Sequence, residues 1–228
     1  MIVCVFSCGR SGTNMVLEVL SGCPDLNVSK KVEDKSFFAR NSTYADYYLT
    51  KCDPVYCNKK QIASTMELNP DLHIVWPIRD CRDMILSKIY RGQPQSRGGD
   101  GKCMSDDATP EGSVANIQRM YRLYRYVLKH WPDRVMLVKM EDVIEDPQKM
   151  SKELCKFLGV SYSPEMPDFV SRMRTGAKRR RYKTVDKGEI AKWKNWKTIY
   201  KGFFRKNAYN VPGLFAQVKD INQYFGYQ

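Results

Sequence analysis

The stretch IVCVFSCGRSGTN, Ile2 to Asn14, decides the fold. Ile2 to Ser7 is an apolar run rich in β-branched residues, CGRSGT is a turn of small residues around one arginine, and Asn14 to Leu20 repeats its apolar residues with helical spacing. The order is strand, loop, helix. A glycine-bounded turn between a buried strand and a helix aims backbone N–H groups and the positive end of the helix dipole at one point, which makes an anion cradle. Within it Arg10 adds a fixed positive charge, Ser11 and Thr13 add hydroxyl donors, and Gly9 and Gly12 permit close approach of a phosphate-like group. The plainer alternative is an ordinary turn capped by Ser11 or Thr13, but an arginine inside so small a turn favours the anion. A nucleoside-triphosphatase loop would place Lys and then Ser or Thr after its second glycine, whereas Gly12 is followed by Thr13 and Asn14.

Outward from this unit the alternation continues. Tyr47 to Thr50 reads as a short second strand, and Leu72 to Ile78 (LHIVWPI) as a strand of the kind buried in parallel sheets. Asp80 to Tyr90 reads as a helix. Arg91 to Gly112 is rich in glycine and proline and nearly free of apolar residues, so a mobile loop and candidate lid is expected there. Ser113 to Trp131 is a helix by its apolar period, Arg134 to Lys139 (RVMLVK) a strand, and Pro147 to Leu158 a helix with proline at its start and Gly159 just past its end. The pattern predicts an α/β fold of three layers with a central, mainly parallel sheet, in one domain spanning 1–228. From 168 to 228 the chain becomes a basic, aromatic extension, with KRRRYK at Lys178 to Lys183 and WKNW at Trp193 to Trp196, expected to close over a site.

The 228 residues carry 43% hydrophobic and 28% charged side chains, too apolar for a disordered chain and too charged for a membrane bundle. The net charge of +13 calls for an anionic partner: phosphate, sulfate, nucleic acid or acidic glycan. Met1 to Phe6 is too short for a signal or a membrane span, which leads to an expectation of a cytoplasmic protein. The cysteines are scattered singly and read as free thiols. His73 and His130 lack ligand spacing, so no metal is expected.

Four separated segments, in order, resemble the sulfotransferases that use 3′-phosphoadenosine 5′-phosphosulfate. GRSGTN, Gly9 to Asn14, is similar to their 5′-phosphosulfate loop, and IRDCRDMILS, Ile78 to Ser87, to the element whose arginine and serine hold the 3′-phosphate. VKMEDVIEDPQKMSKELCKFLGV, Val138 to Val160, and KGEIAKWKN, Lys187 to Asn195, are similar to the later family segments. The resemblance implies a P-loop-like sulfotransferase fold and sulfuryl transfer to a hydroxyl or amine of a glycan, lipid or small molecule, leaving adenosine 3′,5′-bisphosphate. It assigns Arg10, Ser11, Gly12, Thr13, Asn14, Arg79, Ser87, Lys187 and Gly188 to the nucleotide. The segment departs from the family where Asp186 and Ala191 replace an arginine and a glycine, and Lys178 to Arg181 is a candidate substitute for that arginine.

Sulfuryl transfer requires a base, positive charge on the moving group and in-line positioning. KKVEDKSFF, Lys30 to Phe38, resembles the segment that carries a glutamate base in part of the family. The register leaves Glu33 or Asp34 open, with Glu33 chosen. Arg10 supplies charge, and Lys51 in LTKCDP is a second cation for the transferring group. Two other classes compete. A small-molecule or nucleotide kinase on a related fold lacks its Gly-Lys-[Ser/Thr], and a nucleic-acid-binding module, suggested by the basic charge, lacks a recognition element, so neither nucleic acid nor a membrane span is expected.

Overall fold

In a computed structural model the described residues are 1–44, 47–92, 109–172, 190–206 and 209–228. Five strands form one sheet: β1 (Ile2–Phe6), β2 (Asn27–Glu33), β3 (Tyr48–Cys52), β4 (Leu72–Ile78) and β5 (Val135–Lys139). Their order is β2-β3-β1-β4-β5, and every pairing is parallel. The fold is therefore α/β with a central parallel sheet, as the strand–helix alternation predicted.

β1 lies at the centre with a partner on both edges, so both of its faces must be covered. Ile2, Cys4 and Phe6 pack into one core and Val3 and Val5 into the other, all buried. That division is the period of two inherent in a pleated strand. The first core is closed by α2 (Lys59–Leu68), α3 (Cys81–Gly92), α4 (Pro110–His130) and the C-terminal helix Val211–Ala216; the second by α1 (Thr13–Leu20) and α6 (Pro147–Leu158). Phe6, fully buried, sets its ring edge-on to Phe38 and Trp76 at 4.8 Å each, which fixes the middle of the first layer.

The helix ends follow local chemistry. Asp146 accepts a hydrogen bond from Lys149 N at 2.9 Å and Pro147 stands in the first turn, while Gly159 ends α6 at φ 66°. Asp80 accepts from Arg82 N at 2.9 Å and opens α3. Among the elements that escaped the sequence reading are β2 and α2. β2 is a polar edge strand, and α2 buries only Ile62, Thr65 and Met66; its Asn58/Gln61 capping box was its signal. Consequently Tyr48–Cys52 is the third strand and not the second, and it runs two residues further than Thr50.

The chain after 190 packs back on α3 and α4. Trp193 N donates to Asp83 at 2.8 Å, the Arg82 guanidinium lies 3.2 Å from the Trp193 ring centre, and Asn222 bonds both Asp80 and Cys81 N. The lid expected at Arg91 to Gly112 falls largely, from 93 to 108, outside the described residues, as do Lys178 to Arg181. No described helix is long and apolar enough to cross a membrane.

Candidate functional site

The carboxyl ends of all five parallel strands lie at one end of the sheet, and the chain passes from β1 to β2 and β3 on one side and then crosses to β4 and β5 on the other, so the strand order reverses beside β1, the arrangement in which open α/β sheets bind ligands. The residues singled out in the sequence sit there: Arg10 to Asn14 after β1, Glu33 at the end of β2, Lys51 near the end of β3 and Arg79 just after β4.

The loop after β1 is held in a strained shape. Arg10 has φ 77°, a left-handed conformation uncommon for a residue with a side chain. Gly12 has φ 97° as the N-cap of α1, and a Cβ there would stand 2.9 Å from Met140 Cγ. Only glycine fits both constraints. With glycine as the cap, no side chain closes the first turn of α1, and its N–H groups and dipole remain directed at the loop.

Inside the loop the donors divide their work. Gly9 N donates to Asp53 Oδ2 at 2.9 Å, and Ser11 Oγ donates to the Cys8 carbonyl at 2.8 Å, closing the turn from within. Arg10 Nε donates to Ser87 Oγ at 2.7 Å. This contact joins the loop that the resemblance assigns to one phosphate with the hydroxyl that it assigns to the other.

A second cluster stands on the β2–β3 side of β1. Lys51 Nζ lies 2.8 Å from Asn14 Oδ1 and 3.0 Å from Glu33 Oε2, because β2 and β3 pair Glu33 with Lys51. The Glu33 side chain keeps 41% of its surface exposed. Asp34 differs: it is buried, and its carboxylate is engaged by Arg40 and by Ser36 N and Oγ. Burial pushes its pKa up, but the Arg40 and Ser36 hydrogen bonds outweigh that and hold it below the usual carboxylate range.

Arg79 forms a 3.0 Å ion pair with Asp83 one turn on, with only 11% and 1% of the side chains exposed. The segment around Trp193 covers it, the Trp193 N–H donating to Asp83 Oδ1. Burial raises the Asp83 pKa to about 6, against the pull of Arg79 and the Trp193 N–H. Nearby Glu141 is also raised by burial while accepting a 2.7 Å hydrogen bond from Tyr227.

The sequence reading missed Asp53 and Lys88. Lys88 on α3 is buried, and its Cε lies 3.8 Å from where a Gly9 Cβ would stand. Lys88 is one of four charged residues in α3 and falls in no motif, so no sequence signal pointed to it. Lys187 and Gly188, assigned to the nucleotide, lie outside the described residues. His73 lies in β4 with its ring against Phe157 and its pKa lowered by burial, and His130 bonds the Tyr126 carbonyl at the far end of α4. A separate cleft of about 570 Å³, lined by Lys59, Arg122, Arg125, Tyr126 and Lys129 among others, shares no residue with this site.

A family model described as "Sulfotransferase family" matches residues 34–164. No curated protein matches the chain significantly in sequence. Among solved structures, the sulfotransferase domain of the curacin biosynthetic pathway is similar at 16% identity and TM-score 0.63, covering 100% of this chain and 98% of its own. The sulfotransferase domain of the Synechococcus PCC 7002 olefin synthase is similar at 16% identity and TM-score 0.57, covering 85% and 86%. Mouse sulfotransferase SULT7A1 complexed with PAP is similar at 16% identity and TM-score 0.58, covering 96% and 88%.

Proposed function

This chain belongs to the sulfotransferase family, a family of transferases, and from that premise we propose that it moves a sulfuryl group from 3′-phosphoadenosine 5′-phosphosulfate to a hydroxyl or amine acceptor. The observation that carries the proposal is the loop after β1, in which a left-handed Arg10 and a glycine-capped helix N-terminus face one point and Arg10 reaches Ser87. The mouse relative's complex with PAP supports a nucleotide of this class on this fold.

Bound there, the co-substrate supplies an activated sulfuryl group. The Arg10 guanidinium and the N–H groups of the first turn of α1 hold the charged 5′ end, where pre-organised donors stabilise charge without reorganising. Arg79 and Ser87 hold the 3′-phosphate, Arg79 exchanging its ion pair with Asp83 for a more highly charged partner. Glu33 accepts the acceptor's proton on its carboxylate. Its exposure suits it to meet an incoming acceptor, whereas Asp34 is committed to Arg40 and Ser36. Lys51 orients Glu33 and places positive charge beside the path of the moving group.

The test is a panel of glycan, lipid and small-alcohol or amine acceptors incubated with the donor and read by mass spectrometry. A gain of about 80 Da, the mass of SO₃, on any acceptor supports the reading, because transfer tests chemistry and not fold. Phosphorylation of the same panel from ATP and Mg²⁺, with no gain from the sulfuryl donor, overturns it.

A further inference from the structure

A carboxylate from the turn after β3 is bound to the anion loop. Asp53 Oδ2 accepts the Gly9 N–H at 2.9 Å and Oδ1 accepts the Val55 N–H at 3.1 Å, so this side chain pins the loop to the turn after β3. A negative group in that position opposes any anion the loop is built to take. On the same side of Gly9 stands Lys88. An ideal Cβ on Gly9 would be 3.7 Å from Asp53 Oδ2 and 3.8 Å from Lys88 Cε, so the two side chains flank one point on the loop. Lys88 is 8% exposed and its ammonium is sealed from solvent, which rules out a surface role. The residue before it, Ser87, accepts from Arg10. Two consecutive residues of α3 therefore stand beside two consecutive residues of the loop.

We propose that Lys88 is a positioning residue whose charge offsets Asp53, so that the loop can be pinned by a carboxylate and still accept the 5′ anionic group of the nucleotide. The inference rests on the proposed function, since it takes the loop to be the anion site. It follows from Coulomb's law at short range in a poorly solvated setting, where one unscreened charge changes anion affinity strongly and two opposite charges nearly cancel. Lysine suits the task because its long stem packs against the loop while one compact charge sits at the end.

The experiment is a double-mutant cycle on the full chain, read by calorimetric titration with adenosine 3′,5′-bisphosphate. Lys88→Met keeps the volume, removes the charge, and is expected to weaken binding by about tenfold. Asp53→Asn keeps an acceptor for the Gly9 N–H and is expected to tighten binding by about threefold or more. The double variant, with neither charge, should return to within about threefold of wild type. A residue that merely fills space would not be rescued by removing a carboxylate, so a double variant as weak as Lys88→Met alone overturns the proposal. If Lys88→Met does not fold, the Asp53→Asn arm decides: tightening supports the offset, and unchanged or weaker binding overturns it. A wild-type chain that binds no bisphosphate overturns the functional reading and the Lys88 role with it, an outcome distinct from a wild type that binds and a cycle that shows no coupling.

Discussion

Replacing Gly12 by alanine should damage the loop in two separable ways. The backbone there is at φ 97°, and an L-residue in the left-handed region costs about 1–2 kcal/mol. The added methyl would also stand 2.9 Å from Met140 Cγ and 3.2 Å from Met140 Cβ. Those atoms lie near the backbone of α5 (Met140–Glu145), which begins directly after β5, so the clash is not relieved by swinging a side-chain tip. Overpacking of this kind costs about 1–3 kcal/mol. The sum is about 2–5 kcal/mol, or a melting temperature lower by about 5–15 °C for a chain of this size. Equilibrium urea unfolding followed by far-UV circular dichroism measures it. In a Met140→Ala background, which removes the 2.9 Å contact but keeps the 3.2 Å one to Cβ, the same glycine substitution should cost less than in wild type, by about 1 kcal/mol or more. A loss below about 0.5 kcal/mol in the wild-type background, or an equal loss in both, would refute the reasoning.

Arg79→Ala and Ser87→Ala should weaken adenosine 3′,5′-bisphosphate binding by about tenfold or more while leaving the fold intact, as read by calorimetry and circular dichroism; equal affinity would remove both from the 3′-phosphate. Glu33→Gln should lower turnover by about 10²- to 10⁴-fold with nucleotide binding retained, whereas Asp34→Asn should chiefly destabilise the fold by leaving Arg40 without its carboxylate. A large kinetic loss in a stable Asp34→Asn variant, with none in Glu33→Gln, moves the base by one residue. Asp83, its pKa pushed up by burial to about 6 in the fold, holds its proton at a pH where the unfolded chain has released it. Stability should therefore rise as pH falls from about 7 to 4, by about 2–3 kcal/mol relative to Asp83→Asn, and a difference independent of pH would contradict the buried pair.

The parts of the fold legible in the sequence are those where burial on both faces writes a continuous apolar run. Leu72–Ile78 appears at those bounds because both layers cover it, and Pro147–Leu158 because its cap, first-turn proline and final glycine punctuate an amphipathic helix. β2 was illegible for the opposite reason. NVSKKVE lies at the sheet edge, where one side needs no partner and lysines are tolerated, so its composition resembles a loop. The glycine-bounded loop could be read because its chemistry is contiguous in sequence. The meeting of Glu33, Lys51 and Asn14 could be named residue by residue, but only the β2–β3 register brings them together. The bracing of that loop by Asp53 and Lys88 depends on contacts between residues 44 or more positions apart, of which one sequence contains no trace.

The central claim is that the loop after β1, with Arg10, is a site for the 5′ group of a 3′-phosphorylated adenine nucleotide. Its most direct test is calorimetric titration of wild type and Arg10→Ala with adenosine 3′,5′-bisphosphate, run beside ATP with Mg²⁺. The account predicts saturable, Mg²⁺-independent binding of the bisphosphate by wild type, weakened by about a hundredfold in Arg10→Ala, the scale of one pre-organised donor in such a site. Binding of ATP only with Mg²⁺ and none of the bisphosphate, or an Arg10→Ala affinity within about threefold of wild type, would contradict it.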